Sequence, residues 1–378
     1  MPQKEYVGYN SIIKLKDILK KHKPKNIFLV TGKGSYGKSG AKAILDQILI
    51  NYKITHLNDF ETNPKISDIK KGIKLFKKNR CDFVVAVGGG SVMDVAKSIN
   101  SFVANFGEPE DYLNKKNKIK NKGKILVAIP TTAGSGSEAT KFAVVYMNKT
   151  KCSLEHDFII PDYAVVDAQF TMNLPKSITA SAGMDALSQA IESYWSVHST
   201  KESKGYSRDS IKLVINNLAD AADGKKPSRI AMMKAAHLAG KAINIAKTTA
   251  CHAISYPLTS YFNVPHGHAV ALTISSVLAY NSDVTREDLL DKRGVDYVKR
   301  TINEIVKLLG CTNVDDAGMK IRKLMEQTGL STKLGELGIN TDEDIGLIIK
   351  NGFNPDRVRN NPRKLTEDSL RNILKSIR

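Results

Sequence analysis

The sequence predicts a doubly wound α/β domain with a parallel sheet, followed by an all-α domain, and three observations predict it. The first half alternates short apolar runs rich in Val and Ile with stretches whose apolar residues recur at three and four. After about residue 176 the strand signals stop and only helical periodicity continues. At 378 residues the chain is also long for a single core, so two domains are the natural division.

Taken in order, NIFLVTG (26–32), ITHLND (54–59), DFVVAVGGG (82–90), KILVAIPTT (124–132) and YAVVDAQ (163–169) read as buried strands. Between them GAKAILDQILINY, ISDIKKGIKLFKKN and SVMDVAKSINSFVAN have helical period. In the second half DALSQAIESYWSV, YSRDSIKLVINNLADAAD, SRIAMMKAAHLAGKAIN, YVKRTINEIVKLLG and DDAGMKIRKLMEQTG have it throughout. Pro175 and Gly183 punctuate LPKSITASAG, which sets the expected domains at 1–178 and 179–378. The Lys/Asn-rich segment 114–123 reads as an exposed insertion.

Composition narrows the function. A hydrophobic fraction of 42% and a charged fraction of 25% describe an ordinary globular protein. No run of eighteen apolar residues occurs, and MPQKEYVGYN lacks the apolar core of a signal peptide, so no membrane role and a cytoplasmic location are expected. Cys81, Cys152, Cys251 and Cys311 form no C-x-x-C, which points to reduced thiols rather than a disulfide framework or a Cys-type zinc site. The net charge of +19 comes from lysines spread over helices and loops, not from a basic stripe with base-reading residues. It reads as solvated surface charge that helps to attract an anionic small molecule, with no nucleic-acid partner.

Two turns carry chemistry in the first half. VAVGGGS places Gly88, Gly89 and Gly90 between a strand and a helix, with Ser91 near the helix start, where glycine lets the backbone approach a diphosphate and free N–H groups point at it. IPTTAGSGSEAT also follows a strand and offers Thr131, Thr132, Ser135 and Ser137 as hydroxyl donors. In the second half Asp185 and Gln189 lie four apart on one helical face. With His252 and His266, fourteen apart in CHAISYPLTSYFNVPHGH, they make a carboxylate, an amide oxygen and two imidazoles, a donor set suited to a divalent Fe or Zn ion. Each histidine taken singly is more often a hydrogen-bonded structural residue, and spacing alone does not overturn that.

The segments VAVGGGSVMDVAK, IPTTAGSGSEAT, IPDYAVVDAQFTMNLP, AGMDALSQAIESY, HAISYPLTSYFNVPHGHAVAL and NPRKLTEDSLRNIL resemble the iron-containing (group III) alcohol dehydrogenases along nearly the whole chain. The resemblance implies the dehydroquinate synthase-like fold of that family, an N-terminal Rossmann-like dinucleotide-binding domain with a helical C-terminal domain, and an active site with Fe²⁺ or Zn²⁺. It implies that Gly88, Gly89, Gly90, Ser91 and Asp94 hold the diphosphate region of NAD(P)H. Thr131, Thr132, Ser135 and Lys151 match the residues around its nicotinamide and ribose, and Asp185, His252 and His266 match three metal ligands. Gln189 departs from the usual histidine at the fourth ligand position, and Tyr256 replaces a further histidine common near the nicotinamide. Gly32 stands where many NAD-preferring relatives carry an acidic residue, so a 2′-phosphate is not repelled and Lys33, Ser35 or Lys38 could contact it; NADPH is therefore expected to be accepted.

The expected chemistry is reduction of an aldehyde by hydride from the nicotinamide, with the metal as Lewis acid and Tyr256 or a metal-linked water as proton donor. TKFAVVY, KCSLEHDFIIPDYAVVD, DALSQAIESYWSVHST, AAHLAGKAINIAKTTACHAISY and VPHGHAVAL look most like the phosphonoacetaldehyde reductases (hydroxyethylphosphonate dehydrogenases) within that family. These would make 2-hydroxyethylphosphonate in phosphonate biosynthesis. Lys141, His156 and Lys247, with Thr248 and Thr249 following Lys247, are the expected contacts for such an anionic substrate. A general short-chain alcohol or diol dehydrogenase is the alternative in the same class, and a dehydroquinate synthase-like lyase with retained nicotinamide is the alternative from another. The resemblance also implies a homodimer or larger assembly.

Overall fold

Odd and even positions of one apolar run go to opposite faces of a strand, and here both faces are covered, which is why the runs read as continuous Val, Ile and Phe. The computed structural model describes residues 2–147, 150–353 and 355–378. Its strands are β1 (Lys4–Val7), β2 (Asn26–Thr31), β3 (Lys53–Leu57), β4 (Phe83–Gly88), β5 (Ile125–Pro130), β6 (Phe142–Met147), β7 (Thr150–Glu155) and β8 (Tyr163–Val166). Six form one sheet in the order β1-β8-β5-β4-β2-β3, and every pairing in it is parallel. Phe28, Val30, Val84, Ala86, Leu126 and Ala128 pack on one face; Ile27, Leu29, Val85, Val87, Val127 and Ile129 pack on the other.

The helices of this part are α1 (Lys14–His22), α2 (Ser35–Lys38), α3 (Ala41–Ile48), α4 (Ile66–Lys78), α5 (Gly90–Ala104) and α6 (Pro109–Leu113). Ile69, Phe76, Val95 and Ile99 of α4 and α5 cover the first face, and Leu15, Leu19 and Leu45 of α1 and α3 cover the second. This makes the domain doubly wound, as expected. The five expected strands are all present, and three more are found. β1 (KEYV) is an edge strand with Lys4 and Glu5 exposed, so no apolar run marks it. β6 and β7 form a separate antiparallel hairpin that packs against α5 through Ala143, Val145 and Leu154.

The second half is helical throughout: α7 (Lys176–Trp195), α8 (Lys201–Ala222), α9 (Lys226–Ala246), α10 (Ala250–Phe262), α11 (His266–Ser282), α12 (Val295–Leu308), α13 (Val314–Gln327), α14 (Asp342–Gly352), α15 (Pro355–Val358) and α16 (Glu367–Ser376). Residues 183–195 of α7 are buried on all sides, because α8, α9 and α11 surround that helix. The chain thus divides into two compact units, Met1–Leu174 and Pro175–Arg378. All four cysteines carry free thiols. Among the described residues no helix is long and apolar enough to cross a membrane.

One buried carboxylate ties the start of the chain to the end of β8. Asp167, fully buried, accepts from the backbone N–H of Asn10 (3.1 Å), Ile12 (2.9 Å) and Gln169 (3.0 Å) and from the Gln169 amide (2.6 Å). Truncation would leave the buried Ile12 N–H unpaired, at about 1–3 kcal/mol, and would deprive the part-buried N–H groups of Asn10 and Gln169 of their acceptor. Asp167→Ala is expected to lower unfolding free energy by about 3 kcal/mol, read as a lower urea midpoint at unchanged m-value.

Candidate functional site

In the first unit the chain steps from β2 to β3 on one side and then crosses to β4 on the other, so the strand order reverses between β2 and β4. Open parallel sheets bind ligands at the carboxyl ends of strands beside such a reversal. Gly32 follows β2 there, and the Gly88–Gly90 turn joins β4 to α5. A Cβ on Gly88 would lie 2.4 Å from Val92, and one on Gly32 would lie 2.2 Å from the Ser35 hydroxyl. The two turns singled out in the sequence also touch each other. A Cβ on Gly89 would meet Thr132 Oγ1 at 3.3 Å, and one on Gly90 would meet Ser135 Oγ at 3.3 Å, while Thr131 N–H donates to Gly88 O (3.0 Å). A side chain is excluded at Gly88 and crowded at Gly89 and Gly90, and the bare backbone left there is the kind of surface a dinucleotide diphosphate requires. Ser91 Oγ, at the helix start, accepts from Asn63 N–H (3.4 Å).

Beneath these turns sits a residue the sequence reading missed. Lys97 is 1% exposed, and its Nζ donates to Ser137 Oγ (3.0 Å), Thr140 O (2.8 Å), Thr140 Oγ1 (3.0 Å), Phe142 O (2.9 Å) and Ser137 O. An ammonium has three N–H groups, so some of these bonds are shared. Burial lowers the Lys97 ammonium to about 8 against the attraction of Asp94 and Glu138. The same burial raises Asp94 to about 6, opposed by the charges of Lys97 and Lys151 and by hydrogen bonds from Val144 and Ser137. Lys97 thus pins the hydroxyl-rich turn to α5. Its signal in the sequence is the lysine three residues after Asp94, on the face of α5 that turns inward.

In the second unit Asp185, His252 and His266 converge, with one ligand atom from each lying within 4.8 Å of the others. His252 Nε2 is 3.4 Å and His266 Nε2 is 4.0 Å from Asp185 Oδ1. Tetrahedral ligands at 2.0–2.1 Å from a zinc ion lie about 3.4 Å apart, so these spacings suit a divalent cation. The donor chemistry suits one too. Asp185 Oδ1, Gln189 Oε1 and His252 Nε2 are buried without a hydrogen-bond partner, and each offers a lone pair. Burial alone would raise the Asp185 carboxyl. The nearby His252 and His266 rings, with the Gln189 amide, outweigh it and hold the group below its ordinary range. Burial disfavours the His252 cation, yet the Glu192 and Asp185 carboxylates lift it to about 9. A metal held there would have to displace that proton, so its binding would strengthen as pH rises.

Glu192 was not among the residues the sequence singled out. It lies seven after Asp185 on the same face of α7 and is fully buried. Its Oε1 accepts from Thr249 N–H (3.1 Å), Thr249 Oγ1 (2.8 Å) and Cys251 N–H (2.9 Å), the donors that open α10, and its Oε2 accepts from His252 Nδ1. With Nδ1–H donated, the His252 Nε2 lone pair faces Asp185. Ser255 Oγ lies 3.4 Å from His266 Nδ1 and orients the second ring the same way. Gly267 permits the approach, since a Cβ there would lie 2.0 Å from Ser181 O and 2.8 Å from Asp185 Cβ. His268 turns elsewhere and hydrogen-bonds Ser331 O (2.7 Å).

The remaining expected residues fall in different places. Tyr256 is half-buried one helical turn beyond His252 on α10. Lys141 and His156 face each other at the base of the β6–β7 hairpin, where His156 N–H donates to Lys141 O (3.1 Å) and Lys141 Nζ pairs with Asp157 (3.2 Å). Lys247 ends α9 in the second unit with φ +62°, a conformation rare for a residue with a side chain.

Two changes test these pins. Lys97→Met removes the cation while keeping an unbranched four-atom stem, and is expected to lower the Tm and speed amide hydrogen exchange over residues 137–142. Glu192→Gln keeps an oxygen for the α10 N–H groups but turns an amide N–H₂ toward His252 Nδ1. That forces the proton to Nε2 and should weaken Zn²⁺ or Fe²⁺ binding about 10–100-fold by calorimetry, with helical content retained.

Comparison with known proteins agrees with this architecture. Sequence models of the iron-containing alcohol dehydrogenases match residues 2–168, and those of the C-terminal domain of the same family match residues 179–378. A phosphonoacetaldehyde reductase from Streptomyces viridochromogenes is 31% identical over 358 residues, covering 91% of this chain and 88% of that protein. An NADPH-dependent butanol dehydrogenase from Clostridium saccharobutylicum is 29% identical and covers 100% of this chain and 97% of that one. The crystal structure of sulfoacetaldehyde reductase from Bifidobacterium kashiwanohense in complex with NAD⁺ superposes with a TM-score of 0.89 at 31% identity, over 100% of this chain and 97% of that chain. With both of its units matched, the chain belongs to the iron-containing alcohol dehydrogenase family and is an oxidoreductase acting on alcohols.

Proposed function

We propose that this enzyme reduces phosphonoacetaldehyde to 2-hydroxyethylphosphonate with NAD(P)H, as a step of phosphonate biosynthesis. The observation that carries the reductase chemistry is the trio of buried, unpartnered acceptor atoms on Asp185, Gln189 and His252, beside His266. The substrate part is supported by two relatives at 31% identity whose names denote reductases of two-carbon aldehydes ending in a phosphonate or a sulfonate.

In this reading Asp185, Gln189, His252 and His266 hold Fe²⁺ or Zn²⁺. Gly32, Gly88, Gly89, Gly90, Ser91, Asp94, Thr131, Thr132, Ser135 and Lys151 hold the dinucleotide. The ion supplies Lewis-acid polarisation of the carbonyl and the nicotinamide supplies the hydride. Glu192 keeps His252 in the tautomer that ligates, and Gly267 lets His266 stand close to Asp185. Tyr256, on the same helix as His252, delivers the proton to the nascent alkoxide. Lys141, His156 and Lys247 are the candidate contacts for the anionic end. The absence of a carboxylate at Gly32 leaves room for the 2′-phosphate of NADPH beside Lys33, Ser35 or Lys38. The enzyme is read as cytoplasmic, and the family resemblance implies a homodimeric or larger assembly.

The butanol dehydrogenase relative favours a second reading, a reductase of uncharged short aldehydes. The test is NADH and NADPH oxidation with phosphonoacetaldehyde and with propanal, after chelation and re-addition of Fe²⁺ or Zn²⁺. Activity lost on chelation, restored by metal and strongly biased to the phosphonate is expected. Equal or faster turnover of propanal would retire the phosphonate assignment in favour of the second reading.

A further inference from the structure

The first unit holds a cavity of about 240 Å³ at the end of the fold away from the glycine turns. Helix α5 starts at the dinucleotide turn with Gly90 and ends at this cavity with Ala104, and its 15 residues span about 22 Å. β5 likewise starts beside the cavity, directly after Lys124, and runs from there to Pro130. Phe76, Val103 and Ala104 give the cavity an apolar wall, and Lys77, Arg80, Lys122 and Lys124 line it with cations.

Buried amides fix the backbone that carries these cations. Asn100 of α5 donates its amide to Lys124 O (2.8 Å) and accepts from Lys124 N–H (2.9 Å). Asn105 accepts from the N–H groups of Lys120 (2.8 Å) and Asn121 (2.9 Å). Gly123 lies so near α5 that a Cβ there would stand 2.4 Å from Asn100 O. On the α4 side, Cys81 N–H donates to Phe76 O (3.2 Å) and Arg80 N–H to Lys77 O (3.1 Å), the bond pair that closes a helix with a left-handed residue. The Asn26 amide holds the same turn through Asn79 O (2.5 Å).

The charged ends have no such hold. Among the described residues the side chains of Lys77, Arg80 and Lys124 make no hydrogen bond or ion pair, whereas Lys122 pairs with Asp162 (2.6 Å). Lys77, in the last turn of α4, complements the negative end of that helix dipole. This accounts neither for Lys124, which precedes a strand, nor for the backbone of Arg80. Arg80 has φ +52° at the position after a helix where glycine is favoured, so a long cationic side chain is kept there against the conformational preference. Such an outlier points to a use for the side chain.

Three unpaired cations call for more than one negative charge. A phosphate monoester carries about −1.5 to −2 at pH 7 with three acceptor oxygens. An arginine fork engages two of those oxygens and the lysines act as point charges. The apolar wall asks for an organic body on the phosphate, and a cavity smaller than the roughly 300–1,000 Å³ of drug-sized sites keeps that body small.

We propose that this cavity binds a small phosphorylated molecule, with its phosphate on Arg80, Lys77 and Lys124 and its apolar body on Phe76, Val103 and Ala104. The site is separate from the metal and from the aldehyde of the function proposed above. The test is calorimetric titration of the full-length enzyme, with NAD⁺ saturating so that the dinucleotide turns are filled. Phenyl phosphate, inorganic phosphate and phenol are the probes. Wild type is compared with Arg80→Gln, Lys124→Gln and Lys375→Gln, the last removing one charge from an exposed position on α16.

Phenyl phosphate is expected to bind wild type at least about tenfold more tightly than either inorganic phosphate or phenol. Arg80→Gln should weaken that binding at least about tenfold and Lys124→Gln about threefold, with no change for Lys375→Gln and an unliganded Tm close to wild type in all three. Bound phenyl phosphate should also slow amide hydrogen exchange over residues 77–81 and 122–126, which locates it. Phenyl phosphate that does not bind at millimolar concentration, or binds no more tightly than inorganic phosphate, overturns the assignment. So does equal binding by wild type, Arg80→Gln and Lys124→Gln, or a loss in Lys375→Gln as large as that in Arg80→Gln.

Discussion

Glu192 is the constraint on which the second unit depends. A carboxylate with no exposed surface must gather donors, or burial would cost several kcal/mol. Glu192 finds them where a helix necessarily leaves them, in the unpaired N–H groups that open α10. The same carboxylate takes the His252 Nδ1 proton, so the start of the helix, the path of the 247–249 linker and the tautomer of a ligand histidine are decided together. Trp195, Thr249 and Asn360 extend this network to the residues that follow α15. In the proposed enzyme, metal affinity and the path of the linker into α10 thus share one buried acceptor.

The first unit uses the opposite charge for the same end. Lys97 gathers carbonyl and hydroxyl oxygens as Glu192 gathers N–H groups, and the turn it holds carries the hydroxyls that face the glycine turn. Sheet and helix packing bring the carboxyl ends of β4 and β5 side by side, but apolar packing is non-directional and does not set a loop to within a few tenths of an ångström. Directional bonds to one buried ion do. The wide spread of surface lysines has no part in this, and the ionic groups that matter here are the few that are buried.

Much of the fold was legible because its signals are local. The four inner strands β2, β4, β5 and β8 are apolar on both faces, the edge strand β3 was expected to be buried but exposes Lys53 and His56 and buries only Thr55 and Leu57, and the helices around them keep their three-and-four spacing; these patterns need only neighbouring residues. β1 escaped because an edge strand exposes most of its residues, and the β6–β7 hairpin because it is a small separate sheet in a stretch read only for its motifs. Within the candidate site, the glycine turns and the Asp185–Gln189 spacing were visible in the same local way. The pairing of His252 with His266 rested on resemblance, since fourteen residues of separation do not imply contact.

The sequence by itself therefore determined the class of fold, the family, the glycine-lined turns and the types of donor atom available for a metal. Only the tertiary structure decided which buried ions organise those parts. Lys97 meets oxygens 40–45 residues away, and Glu192 meets His252 60 residues away. Periodicity records which side of an element faces inward. It carries no information on which remote polar group waits there, because a buried charge is satisfied by three-dimensional geometry and any chain segment that reaches it can supply the partner.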